Sequence, residues 1–217
     1  EVQPRASNDV FQNQQDALMA QSARFQAEAT GQRTVAFPPE LTSRAADPRV
    51  AGIIRDQDFL FTSRLQFFET QSSVLAQKLQ QLETQIGGVQ AQVDAVNESD
   101  RLTKEELAGY QTLYEKGYAP KTLILRYQRT LADLAGRRGS LLAEITRLRE
   151  QIGETRLQIT TLKEQRISQA AEGLRQMQSG LAEVTPKLAA ARQTLDAATV
   201  RSPVDGYVLD LTQFTVG

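Results

Sequence analysis

Cysteine, histidine and tryptophan do not occur in these 217 residues. Without Cys or His there is no disulfide framework, no thiolate or imidazole nucleophile, and no metal site other than one held by carboxylates alone. Aromatic residues make up 6% of the chain and there are only 13 glycines, which argues against a large compact core. An excess of either charge is missing too. Lys and Arg number 25 against 26 Asp and Glu, so net charge proposes neither a nucleic acid nor an anionic lipid as partner. No apolar run reaches the ~18 residues that a membrane-crossing helix needs, and no signal peptide precedes the helical sequence. With no Gly-rich phosphate loop and no convergent carboxylates, the chain reads as a non-enzyme without a cofactor. Its abrupt start on Glu1-Val2-Gln3 reads as a piece of something longer.

What is present is an abundance of Ala, Leu, Gln, Glu and Arg, the composition of long helices. Two stretches break them. In "GQRTVAFPPELTSRAADPRV", residues 31–50, Gly31, Pro38, Pro39 and Pro48 forbid continuous helix. A short amphipathic helix over about Val10 to Ala29 precedes it. In "EKGYAPKT", Gly117 suits a left-handed helix C-cap and Pro120 sits near the start of the next helix. The predicted organisation is therefore a helix plus Pro-rich loop over 1–49 and a hairpin over 50–198. Its helices lie at about 50–116 and 121–198, with the tip at 117–120.

The two long segments carry a countable repeat. Apolar residues fall at Phe61, Leu65, Phe68, Leu75, Leu79, Leu82, Ile86, Val89, Val93, Val96, Leu107, Tyr110 and Tyr114, interrupted by Ser72, Asp100 and Thr103. Ile124, Tyr127, Leu131, Leu134, Leu141, Ile145, Leu148, Ile152, Ile159 and Leu162 continue it, interrupted by Arg138 and Thr155. A slip through Arg166, Ala170 and Leu174 follows, and the stripe resumes at Met177, Leu181, Val184, Leu188, Ala191 and Leu195. Alternating steps of 3 and 4 mean a left-handed coiled coil, and successive 4-residue steps mean a stutter.

The short link between the helices favours an antiparallel pairing in which facing residue numbers sum to about 238. Tyr114 then faces Ile124, Val93 faces Ile145 and Leu79 faces Ile159, while Ser72 falls opposite Arg166. Asp100 falls opposite Arg138, which predicts an ion pair that selects register rather than adding stability. At about 1.5 Å per residue, helices of roughly 70–78 residues make a rod on the order of 100 Å long. Pro186, inside the second long helix, removes a backbone hydrogen bond and predicts a bend. The position of the first helix, beside the second or below it, stays open. The chain closes on "TVRSPVDGYVLDLTQFTVG", which reads as strand, turn and strand. A lone hairpin of strands is marginal in water, so it predicts partner strands just before Glu1.

These pieces carry a resemblance. "FPPEL" in the loop, "LYEKGYAPKTLILRYQR" at the turn, "GRRGSLLAEI" and "QIGETRLQI" on the descending helix, and the terminal strand pair occur in an order that resembles the haemolysin D family of membrane fusion proteins. The resemblance implies a mainly α fold: a long antiparallel coiled-coil hairpin, an additional short N-terminal helix, and the second half of a lipoyl-like β-domain at 199–217. It also implies a periplasmic adaptor of a type I secretion system, anchored in the inner membrane by a segment absent from this chain. Such adaptors join an inner-membrane ABC exporter to a TolC-like outer-membrane channel, self-associate as a ring of commonly six, and enclose the exported polypeptide. In related drug-efflux adaptors the tip carries an Arg-Leu-Ser pattern. Here Leu113 matches, but Gly109 and Pro120 stand where Arg and Ser would be. The resemblance places the docking surface at Leu113, Lys116, Gly117, Tyr118, Pro120 and Lys121, with Gly117 and Pro120 also building the turn. Two alternatives remain, a coiled-coil scaffold or tether and an adaptor of a drug-efflux pump. A lipoate or biotin carrier is unsupported, because the hairpin that would bear the modified lysine is missing.

Overall fold

The computed structural model describes residues 2–198. The strand pair expected at 199–217 lies outside the described residues, among which there is no strand. Four helices follow one another: α1 (Val2–Thr30), α2 (Pro39–Thr42), α3 (Pro48–Glu115) and α4 (Lys121–Ala197). Helix α1 begins well before the Val10 expected from the sequence. Pro4 falls in the first helical turn, where a proline is tolerated because its missing N–H would have had no partner there. Both α1 and α3 end the same way. Gly31 and Gly117 take positive φ, 69° and 81°, and the residue after each glycine bonds back across the last turn, Gln32 N to Ala27 O at 2.9 Å and Tyr118 N to Leu113 O at 2.8 Å. A left-handed residue closing such six-residue loops is the Schellman cap, and it strongly favours glycine.

The described residues divide into two compact units, one of residues 2–63 and 167–198, the other of residues 64–166. In the first unit α1 lies beside both long helices. Its Phe25 and Leu18 sit against Gly173 and Gly180 of α4, with Phe25 in the closer contact. The two pairs are each seven residues apart and run in opposite directions, so α1 and α4 are antiparallel. On the other side Arg24 Nε donates to Gln57 Oε1 of α3 at 2.8 Å. Ala20, Leu41 and Val50 form the buried core between α1, α2 and α3, with Met19, Phe37, Ile53 and Ile54 packed around them. The Pro-rich loop is predicted as irregular; it contains one helical turn because Pro38 is extended, Pro39 occupies the first helical position, and Leu41 must reach the core. It returns along α1 and is pinned there by Arg44, which holds both oxygens of the almost wholly buried Asp16. Gln12 Nε2 donates to the same carboxylate at 2.9 Å. Pro186 lies within α4, which is continuous through it.

The second unit is an antiparallel two-helix coiled coil made of α3 and α4. Along α3 the residues withdrawn from water include those of the heptad stripe, Leu65, Phe68, Leu75, Leu79, Leu82, Ile86, Val89, Val93, Val96, Leu107 and Tyr110, and its polar interruptions Ser72, Asp100 and Thr103. Leu82, Leu148 and Ile152 are buried together, flanked by Leu79, Ile86 and Val89. Nearer the turn, the rings of Tyr110 and Tyr127 stack at 5.3 Å with planes 22° apart. Thr155, a polar interruption of the stripe, is fully buried and donates to Gln151 O at 2.8 Å within its own helix. Its hydroxyl is thereby satisfied without a partner from across the seam.

Candidate docking site

The turn between α3 and α4 is closed by backbone alone. Gly117 N bonds Tyr114 O at 2.9 Å, Tyr118 N bonds Leu113 O, and Leu123 N bonds Pro120 O at 3.1 Å. Side chains are therefore not needed to hold the turn, and they are left facing outward. Tyr118 is 81% exposed, Leu113 42% and Tyr114 43%. Lys116, Gly117, Pro120 and Lys121 are exposed as well. All six tip residues singled out from the sequence thus lie within one surface segment. Gly117 is constrained by its conformation, and a side chain there would be strained whatever room it had.

Two readings of the sequence need correction here. The repeat places Tyr114 in the seam opposite Ile124. Ile124 is buried, but Tyr114 is substantially exposed because the coiled coil ends within a turn of it and no further layer covers the ring. Leu125, outside the stripe and near the start of α4, is exposed too. Both belong to the tip surface, and the signal that finds them is the end of the heptad repeat. The second correction concerns Asp100. It does not pair with Arg138. Its carboxylate meets Lys104 Nζ at 2.6 Å, one turn along the same helix, while Arg138 is exposed to solvent. An i,i+4 partner needs no reach across the seam, so the local pair forms first. Next to it Arg101 bridges Glu98 and Glu105 at 2.6 and 2.5 Å, which holds the Glu98 carboxyl below its usual range.

Below the tip, loss of water around the stacked pair and the nearby Glu106 raise the Tyr127 phenol above its ordinary value. Among the described residues no group of His, Cys, Asp and Glu is arranged to hold a metal, and no helix is long and apolar enough to cross a membrane. The turn presents an exposed phenol, apolar side chains and two ammonium groups together.

The described chain is similar to known proteins over most of its length. A family described as "AprE, long alpha-helical hairpin" matches residues 4–194. The type I secretion system membrane fusion protein PrsE of Rhizobium meliloti is 27% identical over 212 residues, which are 98% of this chain and 48% of that protein. The alkaline protease secretion protein AprE of Pseudomonas aeruginosa is 29% identical over 216 residues, 100% of this chain and 50% of its own length. The chain thus spans about half the length of the curated relatives it matches. Among solved structures, the soluble domain of LipC, a membrane fusion protein of a type I secretion system, superposes with a TM-score of 0.87 at 28% identity. That match covers 94% of this chain and 96% of the other.

Proposed function

The chain belongs to the AprE long α-helical hairpin family, and on that premise we propose that it is the helical arm of a periplasmic adaptor in a type I secretion system. In this reading it links an inner-membrane ABC exporter to a TolC-like outer-membrane channel for the export of a polypeptide, and the inner-membrane anchor is a segment other than these residues. The relatives are secretion proteins, not enzymes. The observation that carries the reading is the tip. A turn closed by its own backbone presents Tyr118 to water together with the exposed Leu113 and Tyr114, and clustered aromatic and apolar side chains of this kind are enriched at protein interfaces.

Self-association into a ring, six copies by the family resemblance, belongs to the same proposal. It is supported by Phe67 and Val74, exposed and seven residues apart on α3 outside the seam stripe, and by exposed Leu157 on α4. Val74 and Leu157 border an open groove of about 550 Å³ whose lining carries no charge, so no like-charge contact opposes a second arm there. The experiment that tests the docking role is crosslinking from the tip. A photoreactive residue replaces Tyr118 in the full-length protein expressed with exporter, channel and cargo. A crosslink to the channel, absent when the probe replaces the exposed Gln90, is the expected result. Crosslinks to the protein alone, with secretion unchanged in Tyr118→Asp, would return the hairpin to the role of a scaffold or tether.

A further inference from the structure

One layer of the seam is not satisfied. In the unit of residues 64–166, the Nε and Nη2 atoms of Arg166 and the hydroxyl of Ser72 are buried without a hydrogen-bond partner among the described residues. The guanidinium carbon of Arg166 lies 4.8 Å from the centre of the Phe68 ring, so an aromatic face takes the place of a carboxylate. Buried guanidinium N–H groups left without acceptors reduce stability. An apolar residue would fill this seam position at lower cost, as Leu148 and Ile152 do in theirs.

We propose that Arg166 determines pairing specificity: it restricts α4 to pairing with α3 of the hairpin by making pairing of α4 with another α4 prohibitive. Leu141, Ile145, Leu148, Ile152, Ile159 and Leu162 form an apolar stripe sufficient for two α4 helices to associate in parallel. In such a pair every seam residue faces its own copy. Thr155 would then meet Thr155, which is tolerable because each hydroxyl bonds its own helix. Arg166 would meet Arg166, placing two guanidinium groups in one desolvated layer. In the hairpin the same side chain lies over the Phe68 ring instead. Arg138, the other basic interruption, is exposed in the hairpin, so its guanidinium stays in water. Among the described residues α3 carries no buried cation in its own stripe, so the discrimination resides on α4.

The test uses the absence of native cysteine. Ile159 lies inside the seam and is expected to face Leu79 of its own chain, so an Ile159→Cys thiol reaches a second thiol only in a parallel α4–α4 pair. The 217-residue chain with Ile159→Cys is oxidised in three backgrounds: Arg166, Arg166→Met and Arg166→Lys. The expected result is a rise in disulfide-linked dimer, on the order of ten-fold or more, in Arg166→Met alone. Arg166→Met without the added cysteine is expected to melt about 2–4 °C higher than the parent chain. No extra dimer in Arg166→Met overturns the proposal. Equal dimer in Arg166→Lys overturns it too, because charge would then not be the cause. A lower melting temperature in Arg166→Met shows that Arg166 stabilises the hairpin rather than restricting it, and this also overturns the proposal.

Discussion

At Gly173 the Phe25 ring of α1 lies directly against the backbone of α4, and replacing the glycine measures that contact directly. A methyl group there would sit 2.5 Å from Cε1 and Cζ of Phe25 and 2.8 Å from Cδ1. Carbon atoms pack at about 3.5–4.0 Å, so the ring must withdraw by about 1 Å. It is not free to do so. The guanidinium of Arg24 lies 4.0 Å over the Phe25 ring, and Arg24 is itself buried and bonded to Glu28 at 2.6 Å and Gln57 at 2.8 Å. Moving the ring therefore disturbs a buried ion pair as well as a packed face. Overpacking of this kind costs about 1–3 kcal/mol, offset by about 1 kcal/mol gained when glycine in a helix becomes alanine. Gly173→Ala should thus be neutral to about 2 kcal/mol destabilising. At Gly153, also inside α4, an added methyl group would meet nothing within 4 Å, and Gly153→Ala should gain about 0.5–1 kcal/mol. The assay is thermal unfolding followed by far-ultraviolet circular dichroism, in which each kcal/mol moves the midpoint by about 2–4 °C for a chain of this size. Phe25→Leu, which shortens the side chain, should rescue Gly173→Ala, so that the double variant loses less than the two single losses together. If Gly173→Ala stabilises as much as Gly153→Ala, or if the two losses simply add, the close packing of α1 on α4 is refuted.

Within the coiled coil, Ile145→Ala empties a buried seam position and should cost about 2–5 kcal/mol. Leu142→Ala, exposed on the same helix, should stay within about 0.5 kcal/mol; urea titration of the two variants distinguishes a seam from a uniformly packed helix. Asp47 caps α3, its Oδ1 accepting from Arg49 N at 2.9 Å. That backbone bond, with the Arg49 side chain, holds its carboxyl below the ordinary 3.8. A depressed folded value means that the cap stabilises above the unfolded value and is lost as pH falls through the folded one. The gap in melting temperature between the parent chain and Asp47→Ala should therefore be constant from pH 7 to about 4 and close below that. A gap that persists unchanged to about pH 2 would show that the ionised carboxylate is not what caps the helix.

The seam was legible because a heptad repeat translates directly into burial: one stripe per helix, and a short turn to set which residues face each other. The helix cap at Gly117 was legible for a similar reason, since only a few residues accept positive φ. What escaped was contact between elements that no period relates. Nothing in "GLRQMQSG" says that its glycines receive Phe25 and Leu18 of α1, because that match depends on how α1 is placed against α4. Asp100 shows the opposite failure. Its true partner, Lys104, was present at i+4, but a geometric argument across the seam led away from the nearer residue. Tyr114 extends the point to function. A heptad places a residue in the interior only while a further layer lies beyond it, so the last residues of the repeat pass from core to surface without any change in residue type. At this turn the change falls between Tyr110, stacked on Tyr127, and Tyr114, open to water. The same apolar side chains that would have extended the coiled coil are left exposed at the turn, so the proposed docking tip needs no motif of its own, only a coiled coil that stops.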